Sequence, residues 1–206
     1  IPTRKPALPC LFKTSDYTTK GGDGKPNWLN DFEARYPDDD NLNAEYEADK
    51  IPVNLKRLTD WLVSVQGNPT KFKAEAGQYL DIDFILSYYT ITEFFAMVDQ
   101  RAKNMFLTTF DGTHWIVIFY DNDTCLGINN EGVNAFDFTV EYHDKIGTQD
   151  VWNGEKSTLW NNVEQAFKSE IAAMYTRMRQ EGILTYDNCI RFFETEQCDL
   201  WSEAVY

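Results

Sequence analysis

The sequence predicts a mainly helical α+β domain built around one central β-hairpin. Three observations predict it. Apolar residues from Val53 to Val65 repeat at helical spacing. The stretch FILSYYTITEFFAMV (84–98) is apolar on nearly every face, as a buried helix is. Two strand-like runs, Met105 to Phe110 and Trp115 to Tyr120, flank Asp111-Gly112, a strong turn signal. With 206 residues and 43% hydrophobic content, the chain can bury a real core as one domain, or one plus a small subdomain.

In chain order, ALPCLFK is a short strand-like run, and TTKGGDGKPN after it is an exposed loop rich in glycine. Any helix that begins near Trp28 is stopped by Pro37 and the acidic run Asp38 to Asp40. Pro52 opens the helix carrying Val53, Leu55, Leu58, Trp61, Leu62 and Val65, and Gly67, Asn68 and Pro69 end it. A short helix covers Thr70 to Tyr79, after which Asp81 or Asp83 caps the buried helix. The region from Asn129 to Gly154 reads as irregular and polar. Leu159, Trp160, Val163, Phe167, Ile171, Met174 and Met178 line one long helix that stops at Gly182. Thr185 caps a last helix with Cys189, Phe192 and Phe193.

A formal charge of −14 argues against a nonspecific partner among nucleic acids or anionic membranes, whose phosphates repel such a surface. No run is long enough for a membrane span, and no signal segment is visible. The four cysteines are far apart without a CxxC pair, and the two histidines, His114 and His143, lack ligand spacing, so zinc is not expected. Free, mostly buried thiols are expected instead. His114 reads as an edge-strand residue. A start at Ile1 rather than Met suggests a fragment or a processed product.

The chemistry concentrates in DQRAKN (99–104) and the aspartates beyond the hairpin. Phosphoryl transfer needs a carboxylate at the attacking hydroxyl, and an amide and a second carboxylate to hold divalent metal against the phosphates. Protein kinases draw the first two from H-R-D-x-x-x-x-N and the third from an aspartate after a short hairpin. Asp99 and Asn104 keep that D-x-x-x-x-N interval, and Asp121 follows the hairpin. A hairpin returns the chain to its starting edge, so Asp121 can lie beside Asn104. Arg101 and Lys103 are candidates to reach the transferred phosphate. An ordinary reading stays open, because Asp followed five positions later by Asn occurs by chance in a chain this rich in both, and Asp-Gly is ordinary turn chemistry.

The central stretch resembles the CotH kinase family. The matching pieces are FEARYPDD (32–39), QYLDIDFILSYYTITEFFAMVD (78–99) and DGTHWIVIFYDNDTCLG (111–127), with Glu93 at the position of a helical glutamate and Asp121, Asp123 and Gly127 in D-x-D-x-x-x-G spacing. Tyr120 stands where the pattern has a tryptophan, and Asn122 where it has an aromatic residue. The resemblance implies an atypical protein-kinase-like fold using ATP with Mg²⁺ or Mn²⁺. Asp99 would be the catalytic aspartate with Arg101 beside it, Lys103 and Asn104 would meet the nucleotide, and Asn104, Asp121 and Asp123 would be metal ligands. Residues 28–206 would form the kinase-like C-lobe and residues 1–27 a remnant of the N-lobe or hinge, the N-lobe being largely missing. The segments RYPDDD, IPVNLKRLTDWLVS, VDQRAKNMF and DNDTCLGINNEG are also similar to CotH-like parts of bacteriophage virion proteins of the tail or neck. Two functions follow as expectations. One is ATP-dependent phosphorylation of a Ser or Thr hydroxyl on a protein substrate. The other is a catalytically silent structural domain that contacts neighbouring virion subunits, in a virion or otherwise in a bacterium.

Overall fold

In α1 (Val53–Val65), α2 (Pro69–Glu75) and α3 (Ile82–Phe94) the apolar periodicity does what it predicts, placing Leu55, Leu58, Trp61, Leu62 and Val65 of α1 in the core. The computed structural model describes residues 10–14, 32–36, 53–97, 100–101, 104–128, 157–191 and 194. The expected irregular region at 129–154, and Phe192 and Phe193, lie outside them. Local chemistry sets the helix starts. Asn68 accepts a hydrogen bond from the Lys71 amide with Pro69 opening α2, and Asp81 accepts one from the Phe84 amide at 3.1 Å. A turn of 3-10 helix, Ala76–Gln78, leads from α2 towards α3.

The hairpin is present as β3 (Met105–Thr109) and β4 (Ile116–Phe119). Met105 pairs with Phe119 and Leu107 with Val117. The buried Met105, Leu107 and Val117 and the half-buried Phe119 form one face of the strands, as period-2 alternation requires. Asp111 organises the turn. Its carboxylate accepts from the Thr113 and His114 amides, both at 2.7 Å, and Gly112 takes the positive φ of 76°. His114 therefore belongs to the turn, next to Asp111, and not to a strand edge.

Two further strands complete an antiparallel sheet of order β2-β1-β3-β4, with β1 at Cys10–Thr14 and β2 at Phe32–Tyr36. The sequence leaves room for a helix between Trp28 and Pro37; Phe32–Tyr36 is a strand. FEARY alternates apolar and charged residues, the period of a strand, and β1 offers it a ladder partner. A lone hairpin is marginally stable, so β1 pairing with β3 supplies backbone bonds that the hairpin needs.

The long helix expected after residue 157 is two helices, α4 (Thr158–Ala166) and α5 (Lys168–Gln180), broken at Phe167 with φ −120° and ψ 25°. Tertiary packing overrides the continuous periodicity there. The buried Phe167 ring meets Phe72 edge-on at 6.1 Å, and Lys73 lies over it. Thr185 caps the short α6 (Tyr186–Arg191) by accepting from the Asn188 amide.

Trp115, fully buried, locks the hairpin to the start of α3. Its amide donates to the Tyr79 carbonyl at 2.8 Å, and the Asp81 amide donates to its carbonyl at 3.0 Å. Arg57 reinforces the joint, donating to the carbonyls of Gln78 and Thr113 while stacking over Tyr79. No helix among the described residues is long and apolar enough to cross a membrane. Cys125 and Cys189 are free, half-buried thiols.

Candidate functional site

α3 ends in a turn that sets the site. The Met97 amide donates to the Thr92 carbonyl and the Ala96 amide to that of Glu93, which is the Schellman pattern with Ala96 in the left-handed position at φ 45°. Glycine usually occupies that position, because a Cβ makes it strained. The loop after β4 docks on this helix end. Leu126 donates its amide to the Phe95 carbonyl at 2.6 Å, and Gly127 to Ala96 at 3.3 Å. Among the described residues, the non-glycine positive φ angles are those of Ala96, Asp121 (55°) and Leu126 (56°). Ala96 and Leu126 share this helix-end junction, and Asp121 opens the same loop. Such backbone persists where its surroundings over-determine it, and it clusters at functional sites.

Gln100 and Arg101 are wedged between α3 and that loop. Gln100 is wholly buried, and its carbonyl accepts from the Tyr88 hydroxyl at 2.8 Å. Its side-chain amide donates to the Asp121 carbonyl at 2.8 Å and lies 3.4 Å from Asn122 Oδ1. Asn104, also buried, directs its Nδ2 to the same Asp121 carbonyl at 3.4 Å. The hairpin thus brings Asn104 and Asp121 together. The side chains of Asp121 and Asp123 are exposed.

Arg101, 4% exposed, is ion-paired with Glu93 of α3, and its guanidinium lies 4.1 Å from the Tyr89 ring centre. Burial works against its charge, but Glu93 and Tyr89 outweigh burial and hold the guanidinium above its ordinary pKa. Burial pushes the Tyr89 hydroxyl up to about 12, opposed by the nearby Arg101 charge. The guanidinium expected at a transferred phosphate is thus engaged by groups of α3.

Asp99 and Lys103 lie outside the described residues, so the structure places neither. Among the described residues no three His, Cys, Asp or Glu side chains group as a metal site. The candidate donors that are described are the Asn104 amide oxygen and the carboxylates of Asp121 and Asp123. Their hard oxygens suit Mg²⁺ or Mn²⁺, and the Nδ2 bond to the Asp121 carbonyl keeps the Asn104 amide beside that residue. Sequence reasoning passed over Gln100, and Glu93 entered only through a pattern match. No local signal marks Gln100, since its significance depends on where the hairpin delivers Asp121.

Residues 11–189 match the family described as CotH kinase protein, covering the sheet, the helices and the Gln100–Asp121 junction. The chain belongs to the CotH kinase family. No curated protein and no solved structure matches it. The matched span includes all six residues singled out in the sequence: Asp99, Arg101, Lys103, Asn104, Asp121 and Asp123.

Proposed function

We propose that this domain transfers the terminal phosphoryl group of ATP, with Mg²⁺ or Mn²⁺, to a hydroxyl of a protein substrate. One observation carries the reading. In a chain of the CotH kinase family, Gln100, which follows Asp99 in the sequence, and Asn104 both direct side-chain amides at the Asp121 carbonyl.

In this reading Asp99 accepts the hydrogen bond of the attacking hydroxyl and orients its oxygen. That oxygen bonds to the terminal phosphorus while the bond to the bridging oxygen breaks, so ADP leaves and the hydroxyl proton passes to the Asp99 carboxylate. Asn104 and Asp121, with Asp123 in support, would hold the metal, which supplies charge neutralisation at the phosphates. Lys103 is assigned to the nucleotide phosphates. Arg101 is assigned to holding the loop on α3 through Glu93, since its guanidinium is buried there. That burial also favours a second reading, a catalytically silent structural domain such as a virion component, because it removes one cation from the phosphate side.

Transfer of radiolabelled phosphate from ATP with Mn²⁺ or Mg²⁺ tests the proposal, beside Asp99→Ala and Asp121→Ala. Label incorporated by the wild type and lost in both variants is expected. Wild-type incorporation equal to that of both variants would sink the enzymatic reading and leave the structural one.

A further inference from the structure

We infer that Gln100 is a positioning residue that fixes the backbone of Asp121 and so sets where its carboxylate points; as a statement about metal binding, this rests on the function proposed above. Asp121 is in the left-handed region at φ 55°, a conformation that aspartate tolerates better than most non-glycine residues but that is uncommon without a constraint. The constraint is visible at its carbonyl, where Gln100 Nε2 donates at 2.8 Å and Asn104 Nδ2 lies at 3.4 Å. The shorter bond is that of Gln100.

Gln100 is itself held. Its carbonyl takes the Tyr88 hydroxyl, and Tyr88 is stacked between Phe119 at 4.3 Å and Trp160 at 5.5 Å. A rigid line therefore runs from the aromatic core through Gln100 to Asp121. The other end of the same amide supports the assignment. Among the described residues Gln100 Oε1 is buried without a hydrogen-bond partner, an arrangement that costs stability and that an apolar side chain of similar size would avoid. The amide's contribution at this position lies in its donor. Reversing the amide would set its oxygen against the Asp121 carbonyl oxygen, so the acceptor there fixes which way it faces.

Two variants test this. Gln100→Glu is nearly isosteric but presents an acceptor to the Asp121 carbonyl, and Gln100→Leu removes the donor without adding charge. The backbone coupling constant and carbon shifts of Asp121, followed by NMR, are expected to leave the left-handed range in both. Manganese titrated by electron paramagnetic resonance should bind about 10–100-fold more weakly, the usual loss when a residue supporting a ligand is removed. Melting temperature should fall less in Gln100→Leu than in Gln100→Glu, which places a carboxylate in a wholly buried position. Unmoved Asp121 signals in Gln100→Glu, or in Gln100→Leu should only that variant fold, would overturn the inference. A wild type that takes up no Mn²⁺, with Asp121 still displaced in the variants, would instead overturn the metal reading and leave the positioning role standing.

Discussion

Arg101 and Glu93 form an ion pair that ties the loop before β3 to the last turn of α3, with the arginine side chain 5% and the glutamate 29% exposed. Removing one partner from such a pair costs more than the pair contributes, because the other charge is left poorly solvated. Arg101→Ala should therefore destabilise the fold by about 3 kcal/mol, at the low end for buried pairs because Glu93 retains some water. Glu93→Gln, Arg101→Met together should recover part of that loss. Urea denaturation checks both, and a double variant no more stable than Arg101→Ala would contradict the argument.

Asp121 separates backbone from charge. Asparagine tolerates the left-handed region about as well as aspartate, so Asp121→Asn should stay within about 0.5 kcal/mol of wild-type stability. Asp121→Val should cost about 1–2 kcal/mol, because a β-branched residue is strained there. Any rise in melting temperature caused by Mn²⁺ should disappear in Asp121→Asn. Differential scanning fluorimetry with and without the metal reads all three.

The hairpin turn predicts a pH response. Partial burial acts to raise the Asp111 pKa, but hydrogen bonds from His114 and Thr113 prevail and hold the carboxyl well below its usual range. A lowered folded-state pKa stabilises above the unfolded value and loses that contribution as pH falls through the folded one. The loss should thus begin below about pH 4, the ordinary aspartate value. His114→Ala should move the Asp111 titration upward, seen in its carboxyl carbon shift, while an unmoved titration would show that the imidazole contributes nothing.

Trp115 is the joint between hairpin and α3, fully buried and bonded through its backbone to Tyr79 and Asp81. Trp115→Ala should cost about 3–5 kcal/mol. The helix cap beside it is worth less, and Asp81→Ala should cost about 1 kcal/mol. Guanidinium unfolding should rank them in that order.

Much of this fold is legible from local pattern. The periodicity of Val53–Val65, the Asp81 cap, the Asp111-Gly112 turn and the Thr185 cap each depend on residues within a few positions of one another. FEARY shows the limit, because five residues carry too little local energy to choose a state and the ladder with β1 decides for the strand. Phe167 shows another limit, where a ring packed against Phe72 breaks a periodicity that is continuous in sequence.

By itself the sequence determined the candidate chemistry and its order along the chain: the D-x-x-x-x-N interval, the hairpin and the aspartates beyond it. Residue type and short spacing carry that information. Only the tertiary structure decided that Arg101 is engaged by Glu93 and Tyr89 and that Gln100 holds the Asp121 backbone. Both depend on how deeply a side chain is buried and on which distant group lies opposite it. Those are properties of α3, the loop and the hairpin packed together, and no stretch of sequence contains them alone.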